Sequence, residues 1–183
     1  MAKPTTPDSG TLESKLRGAV RGDVFFTPAK RGLYASDASH YQTMPAAAAV
    51  PVDEADAVSA IVAANELGLP VTARGGGTSL SGQTFGPGLV LDVSKHLAGV
   101  LEVNAAQRWA RVQPGAVRDR LNAELAPHGL HFAPDPATGK AATVGGMIGN
   151  NTSGTRSVVF GKSIDHVLSL RVALADGTVI DCE

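Results

Sequence analysis

Residues 74 to 80 read Arg-Gly-Gly-Gly-Thr-Ser-Leu, three consecutive glycines between a cation and two hydroxyls. Without Cβ atoms, Gly75, Gly76 and Gly77 can take positive φ and let a ligand approach the backbone closely. Successive N–H groups in such a turn converge into a nest for an anion. Thr78 and Ser79 add hydroxyl donors, and Arg74 adds charge. The chemistry this suits is the binding of a pyrophosphate. A P-loop is excluded, because Gly77 and Gly82 are followed by Thr78 and Gln83 where that motif needs Lys. The dinucleotide fingerprint G-x-G-x-x-G fails too. From Gly75 its last glycine would fall on Leu80, and the residues that follow, "SGQTFGPG", lead into a strand and not a helix.

A second stretch has the same character. "HFAPDPATGKAATVGGMIGNNTSGTRSVVFGK", residues 131 to 162, starts on an extended segment fixed by Pro134 and Pro136. Gly145, Gly146, Gly149 and Gly154 ask again for bare backbone, beside the polar run Asn150, Asn151, Thr152 and Ser153. Read as a second glycine-rich loop ending near the first, it would help enclose something long and polar. A dinucleotide is the natural candidate.

The elements that must position these loops follow from periodicity. Residues 1 to 11 are rich in Pro, Thr, Ser and Gly and are expected to fray, with a short helix over Leu12 to Arg21. "AAAAVP" reads as a strand of small residues. "DEADAVSAIVAANELG" reads as a helix with Asp53 as N-cap, Glu54 and Asp56 in its first turn, and a stripe of Val58, Ile61 and Val62. Gly68 is its stop, and "LPVTA" is the next strand, which runs into the first glycine loop. Leu89 to Val93 is a strand, and "GVLEVNAAQRWARVQPG" is a hairpin. "AVRDRLNAELAPHG" is a helix. "HVLSLRVALADGTVID" is a second hairpin, with Asp176-Gly177 as a two-residue turn. The expected class is α+β, with about seven strands and three or four helices and an initial β-α-β unit. The expected boundaries are a polar segment and short helix over 1–29, and one domain over 30–183. That domain divides into a β-α-β subdomain at 30–98 and a second α/β subdomain at 99–183.

Composition narrows the function. The chain has 183 residues, 43% hydrophobic and 18% charged, enough to bury a core. Its 16 basic and 17 acidic residues give a net charge of −1, so no electrostatic case exists for nucleic acid. The single cysteine, Cys182, allows no internal disulfide framework and no cysteine metal cluster. No stretch approaches the ~18 apolar residues of a membrane-spanning helix, and the polar start lacks a signal-peptide core. A cytoplasmic protein without a transmembrane segment is the expectation.

These motifs together, "YASDASHY" (34–41), "RGGGTSLSGQ", "APDPAT" and "TVGGMIGNNTSG", resemble a known family. It is the FAD-binding domain of the vanillyl-alcohol oxidase and para-cresol methylhydroxylase (PCMH) type, the FAD-linked oxidase group. The resemblance covers about residues 30 to 181 and is strongest to its D-lactate, glycolate and D-2-hydroxyglutarate dehydrogenase branch. It implies that Arg74, Gly75, Gly76, Gly77, Thr78, Ser79 and Leu80 wrap the FAD pyrophosphate. It implies that Pro134 and Asp135 lie along the cofactor. Thr143, Gly145, Gly146, Gly149, Asn151 and Gly154 would contact its ribityl, phosphate or isoalloxazine portions. It implies hydride transfer from a D-2-hydroxy acid to FAD. Relatives with tethered flavin often carry His in the first loop; Thr78 stands there, so FAD is expected to be held non-covalently. It implies further a downstream cap domain, and in large members an iron–sulfur module. The chain is therefore expected to be a C-terminally incomplete fragment, inactive alone, and its residues offer no catalytic base. Two alternatives stay open: a non-catalytic dinucleotide-binding module and an inactive gene fragment.

Other chemistry-bearing residues are assigned plainer roles. His128 and His131 are interrupted by Gly129, and no metal site is expected. His166 is expected as a hydrogen-bonded residue opening a strand. Trp109 is expected to pack on its hairpin. Arg118, Arg120 and Glu124 are expected on the solvated face of their helix.

Overall fold

The computed structural model describes residues 8–183. The expectation of a frayed start falls, for residues 1 to 7, outside these. From Ser9 the chain is helical, because the Asp8 carboxylate accepts hydrogen bonds from the amides of Gly10 (2.8 Å) and Thr11 (3.1 Å) and caps helix α1, Ser9–Ala19. The chain forms two compact units.

The first unit comprises the described residues up to Arg74, then Ser79–Asp92 and Arg171–Cys182. It contains α1, β1 (Asp23–Phe25), α2 (Pro28–Gly32), β2 (Ala47–Val50), α3 (Glu54–Glu66), β3 (Val71–Arg74) and β4 (Leu89–Asp92). The sheet order is β1-β2-β4-β3. β4 lies parallel to both β2 and β3, with Ala48 and Thr72 each opposite Val90, while β1 runs antiparallel on β2. The expected β-α-β unit, β2-α3-β3, therefore leaves room between its strands for β4. Alternate residues of β2 face opposite sides. Ala47 and Ala49 join Leu12, Leu16, Ala60 and Leu91 in one core cluster, and Ala48 and Val50 join Tyr34 and Val90 in another.

Helix α3 does not bury the stripe expected of it. Its core-facing residues are Ala60, Ala63 and Ala64, one and three apart on one face, with Asp56 a turn before. Small side chains let the helix come close to the alanine-rich strand; of the expected stripe, Ile61 packs half-buried against the same core, while Val58 and Val62 turn elsewhere. Val58 and Val62 flank Gly177, where a Cβ would run into Val62. Asp56 is 1% exposed. Its carboxylate accepts from the amides of Arg21 (2.7 Å), Gly22 (3.0 Å) and Val52 (2.9 Å), binding the turn before β1 to the start of α3.

The hairpin over β7 (Leu170–Ala173) and β8 (Val179–Cys182) turns through three residues, not two. Leu174 donates to the Thr178 carbonyl (2.8 Å), Gly177 donates to the Leu174 carbonyl (3.0 Å), and Gly177 has φ +87°. That is a turn closed by a left-handed glycine bulge, which accommodates the strand twist as a type I′ pair would.

The second unit comprises Gly75–Thr78 and Val93–Leu170. A hairpin, β5 (Val100–Asn104) and β6 (Trp109–Val112), packs with α4 (Arg118–Leu125) around Ala116, Leu121, Leu125 and Val144. Leu121 and Leu125, one helical turn apart, supply the buried side of α4. A 3₁₀ turn over Ala126–His128 ends at Gly129, φ +68°. The stretch expected as a second glycine loop folds in part as helix α5 (Val144–Gly149), with α6 (Ser157–Phe160) and a 3₁₀ turn over Ser163–His166 following. The glycines of α5 are tolerated because Thr143 caps it and Gly145 lies against Pro114. The described residues hold eight strands and six α-helices, in the expected α+β class. The elements not foreseen, β1, α2, α5 and α6, are of three to six residues, too short for periodicity to register. Among the described residues no helix is long and apolar enough to cross a membrane.

Candidate functional site: a bare-backbone loop

The first glycine motif leaves the sheet at the C-terminal end of a parallel strand, the usual place for ligand loops in such sheets. No described residue accepts a hydrogen bond from the backbone amides of Gly75, Gly76, Gly77, Thr78, Ser79 or Leu80. These six donors are left open to an acceptor that the protein itself does not supply. Gly77 has φ +64°, the left-handed turn that lets neighbouring N–H groups converge. The Thr78 hydroxyl likewise has no hydrogen-bond partner among the described residues and adds a donor. No carboxylate occurs between Arg74 and Gln83. This donor set, N–H and O–H with no carboxylate in the loop's own sequence, fits an anion.

Within the second unit the two glycine motifs meet. A Cβ on Gly75 would collide with Thr143 Oγ1, and one on Gly76 with the Ala141 carbonyl oxygen. The bareness of these two residues thus serves close backbone packing on the 141–143 segment. Thr143 is buried, and its hydroxyl accepts from the Gly146 amide at 3.4 Å as the cap of α5.

Most of the remaining residues singled out in the sequence are engaged with the protein; Leu80 and Gly149 are not. The Ser79 hydroxyl donates to Gln83 Oε1 (2.7 Å) and accepts from the Ser81 amide (3.1 Å). Leu80 is 78% exposed. Pro134 is buried, and its carbonyl accepts from Arg118 Nε at 3.0 Å. Arg118, expected to be solvated, is instead a support of this segment, with a second bond to Asp119 at 2.8 Å. Asp135 accepts from the Arg156 amide (3.1 Å) and the Thr155 hydroxyl (3.1 Å), with the Arg156 guanidinium at 3.7 Å. The Arg156 amide, then the Thr155 hydroxyl and the Arg156 charge, hold its carboxyl below the usual range. Gly154 must be bare because a Cβ would meet Asp135. Asn151 has φ +46° and its Oδ1 accepts from the Ile164 amide at 3.1 Å. Gly149 faces open space.

Arg74 is the largest departure. Its Nη1 donates to the Ser36 carbonyl (2.8 Å) and reaches the Thr84 carbonyl and hydroxyl (both 3.4 Å), and its guanidinium lies 5.6 Å from the Tyr34 ring centre. Tyr34 donates to Asp92 Oδ2 at 3.0 Å, both side chains buried. Burial, then the neighbouring Asp92 charge, raises the Tyr34 phenol well above its usual range. Sequence reasoning missed Tyr34, Asp92, Thr84 and Ala141. Tyr34 and Asp92 lie 58 residues apart, and Ala141 acts through a carbonyl that no side chain advertises.

The tempting residues take local roles. The Trp109 indole donates to Gln107 Oε1 at 2.9 Å on its own hairpin, with Arg111 near the ring. His166 is bonded to the Phe160 carbonyl at 2.8 Å but lies in a 3₁₀ turn, ahead of β7. Among the described residues no group of three or more His, Cys, Asp and Glu is placed to hold a metal.

Known proteins share this chain's sequence and fold. The family described as "FAD binding domain" matches residues 45–183. The chain is 45% identical to D-2-hydroxyglutarate dehydrogenase of Pseudomonas putida over 172 residues, which is 91% of this chain and 17% of that protein. It is 42% identical to D-lactate dehydrogenase of Archaeoglobus fulgidus over 135 residues, 72% of this chain and 30% of that protein. The crystal structure of carbohydrate oxidase from Microdochium nivale superposes with a TM-score of 0.81 at 26% identity, covering 94% of this chain and 37% of that one. The chain thus spans well under half the length of these relatives.

Proposed function

Because the chain belongs to the FAD binding domain family, with a PCMH-type α+β fold, we propose that its loop at residues 75–78 holds the pyrophosphate of FAD non-covalently, in a flavin-dependent oxidoreductase acting on a D-2-hydroxy acid. The observation that carries the reading is the run of unpaired amides from Gly75 to Leu80, with the free Thr78 hydroxyl and no carboxylate in the loop's own sequence. The fit is one of donor chemistry. A pyrophosphate brings oxygens that accept and negative charge that the loop does not oppose.

The chain's own residues then have distinct tasks. The amides of Gly75, Gly76, Gly77 and Thr78 donate to phosphate oxygens. Thr143, by packing on Gly75 and capping α5, keeps the two glycine segments in register. Pro134 and Asp135, fixed by Arg118, Thr155 and Arg156, form a stiff edge along the cofactor. Gly145, Gly146 and Gly149 in α5, with Asn151 and Gly154 beyond it, would line the cofactor. FAD, when bound, accepts a hydride equivalent from the carbinol carbon of the substrate. Residues 30–183 act in this scheme as one flavin-binding domain.

The substrate class rests on the two dehydrogenases named above, whose names specify D-2-hydroxyglutarate and D-lactate. The test is anaerobic bleaching of the flavin in the holoprotein carrying this chain. One of the D-2-hydroxy acids should remove the oxidised-flavin absorbance, while simple amines and aldehydes should not. Retained absorbance with every hydroxy acid tried contradicts the assignment.

A further inference from the structure

Arg74 is the one basic residue in the sequence from 74 to 84, yet its Nη1 is turned back into the protein. Nη1 bonds to the Ser36 carbonyl, upstream, and to both the carbonyl and the hydroxyl of Thr84, the residue that closes the loop. The Thr84 hydroxyl in turn lies 3.3 Å from Asp37 Oδ2, next to Ser36. The guanidinium also faces the ring of Tyr34, itself locked on Asp92, the residue opposite Arg74 across β3 and β4. One side chain therefore joins the point where the chain leaves the sheet to Thr84, ahead of the start of β4 at Leu89.

We infer that Arg74 is a positioning residue: a brace that closes the neck of the 75–83 excursion by tying Thr84 to Ser36, so that the amides of the loop stay aimed without help from the arginine charge. Calling that loop the anion site rests on the FAD reading above; the brace itself does not. The physical reason for a brace is entropic. A segment with glycines at 75, 76, 77 and 82 has more backbone freedom to lose than any other of its length. Tying its ends shortens the free loop and removes part of that cost before a ligand arrives. Ser79 on Gln83 makes a smaller closure inside the same neck.

The test uses Arg74→Lys, Arg74→Gln and Thr84→Val in the 183-residue chain, with two measurements. The first is flavin-free. Backbone amide order parameters of residues 75–83 should fall in all three variants while those of β3 and β4 hold. Lysine should not rescue, since its ammonium ends short of the Nη1 position from which arginine reaches both Ser36 and Thr84. The second is the FAD dissociation constant against salt, well below the melting temperature. Binding should weaken about tenfold in each variant, the loss of one or two hydrogen bonds' worth of ordering. The salt slope should equal that of the parent, whereas a purely structural role would lower the melting temperature and leave Kd alone. Unchanged loop order in Arg74→Gln, or rescue of Kd by lysine with a flattened salt slope in glutamine, overturns the brace and makes Arg74 an anion contact. If no variant and not the parent binds FAD, the cofactor reading fails, and the order parameters still decide the brace.

Discussion

Gly76 is the residue where backbone chemistry is most demanding. Its missing Cβ would occupy the position of the Ala141 carbonyl oxygen, a backbone atom that cannot rotate away. Gly76→Ala should therefore destabilise the chain by about 1–3 kcal/mol, as overpacking does, and lower FAD affinity, measured by thermal melting and fluorescence titration. A variant with parental stability would show that the loop does not pack on the 141–143 segment. The glycine run was legible in the sequence as a demand for bare backbone. What the demand was for was not: Gly75 and Gly76 serve packing, while the ligand-facing quality of the loop lies in its unpaired amides. Arg74 and Asp135 were legible as polar residues near the site, but their partners lie 10 and 38 residues away for Arg74 and 20 and 21 for Asp135, where spacing carries no signal.

Tyr34 adds a pH prediction at the same scale. Its phenol is raised by burial and by Asp92, so the folded state keeps it protonated where the unfolded chain, with a tyrosine pKa of ~10, has begun to ionise. Its contribution to stability is full below the unfolded value and is lost as pH rises toward the folded one. Phenolate absorbance of Tyr34 should appear only together with alkaline unfolding, and Tyr34→Phe should remove that phase. Ionisation of Tyr34 in the native chain would contradict the buried pairing with Asp92.

At the scale of elements, the junction of β1 and α3 depends on Asp56. Its buried carboxylate satisfies three backbone amides that have no other partner among the described residues. Asp56→Ala should cost about 3 kcal/mol or more, since bonds to a charged acceptor are worth roughly 1.5–3 kcal/mol each and the stranded donors add to the loss. Denaturant unfolding measures it; a cost below about 1 kcal/mol would mean water replaces the carboxylate. Gly177 is the matching case for the C-terminal hairpin. Its left-handed φ and the nearby Val62 make Gly177→Ala destabilising by about 1 kcal/mol or more. The sequence announced Asp56 only as a first-turn acid, and Asp176-Gly177 as a shorter turn than the one formed. In both instances the local pattern was right in kind, and tertiary partners set the detail. The helix stripe of α3 shows the limit of periodicity: alanine at helical spacing is a weak apolar signal, yet close packing on an alanine strand made it the buried face.

At the scale of the whole chain, the α+β class, the β-α-β start and the flavin family were all legible, because they rest on the 13-residue α3 with its cap and stop signals and on a combination of motifs. The non-covalent mode of binding is a whole-molecule prediction as well. With Thr78 where a tethering histidine would stand, acid precipitation of the holoprotein should release all flavin to the supernatant. Colour in the washed pellet would contradict it.

The central claim is that the amides from Gly75 to Thr78 receive the pyrophosphate. The most direct measurement is a titration of the 15N-labelled 183-residue chain with FAD, followed amide by amide, with inorganic pyrophosphate as competitor. The account predicts that the largest shifts fall on Gly75, Gly76, Gly77 and Thr78 and are reversed by the competitor. Shifts centred elsewhere, or no shift of these four amides at high FAD concentration, would contradict it.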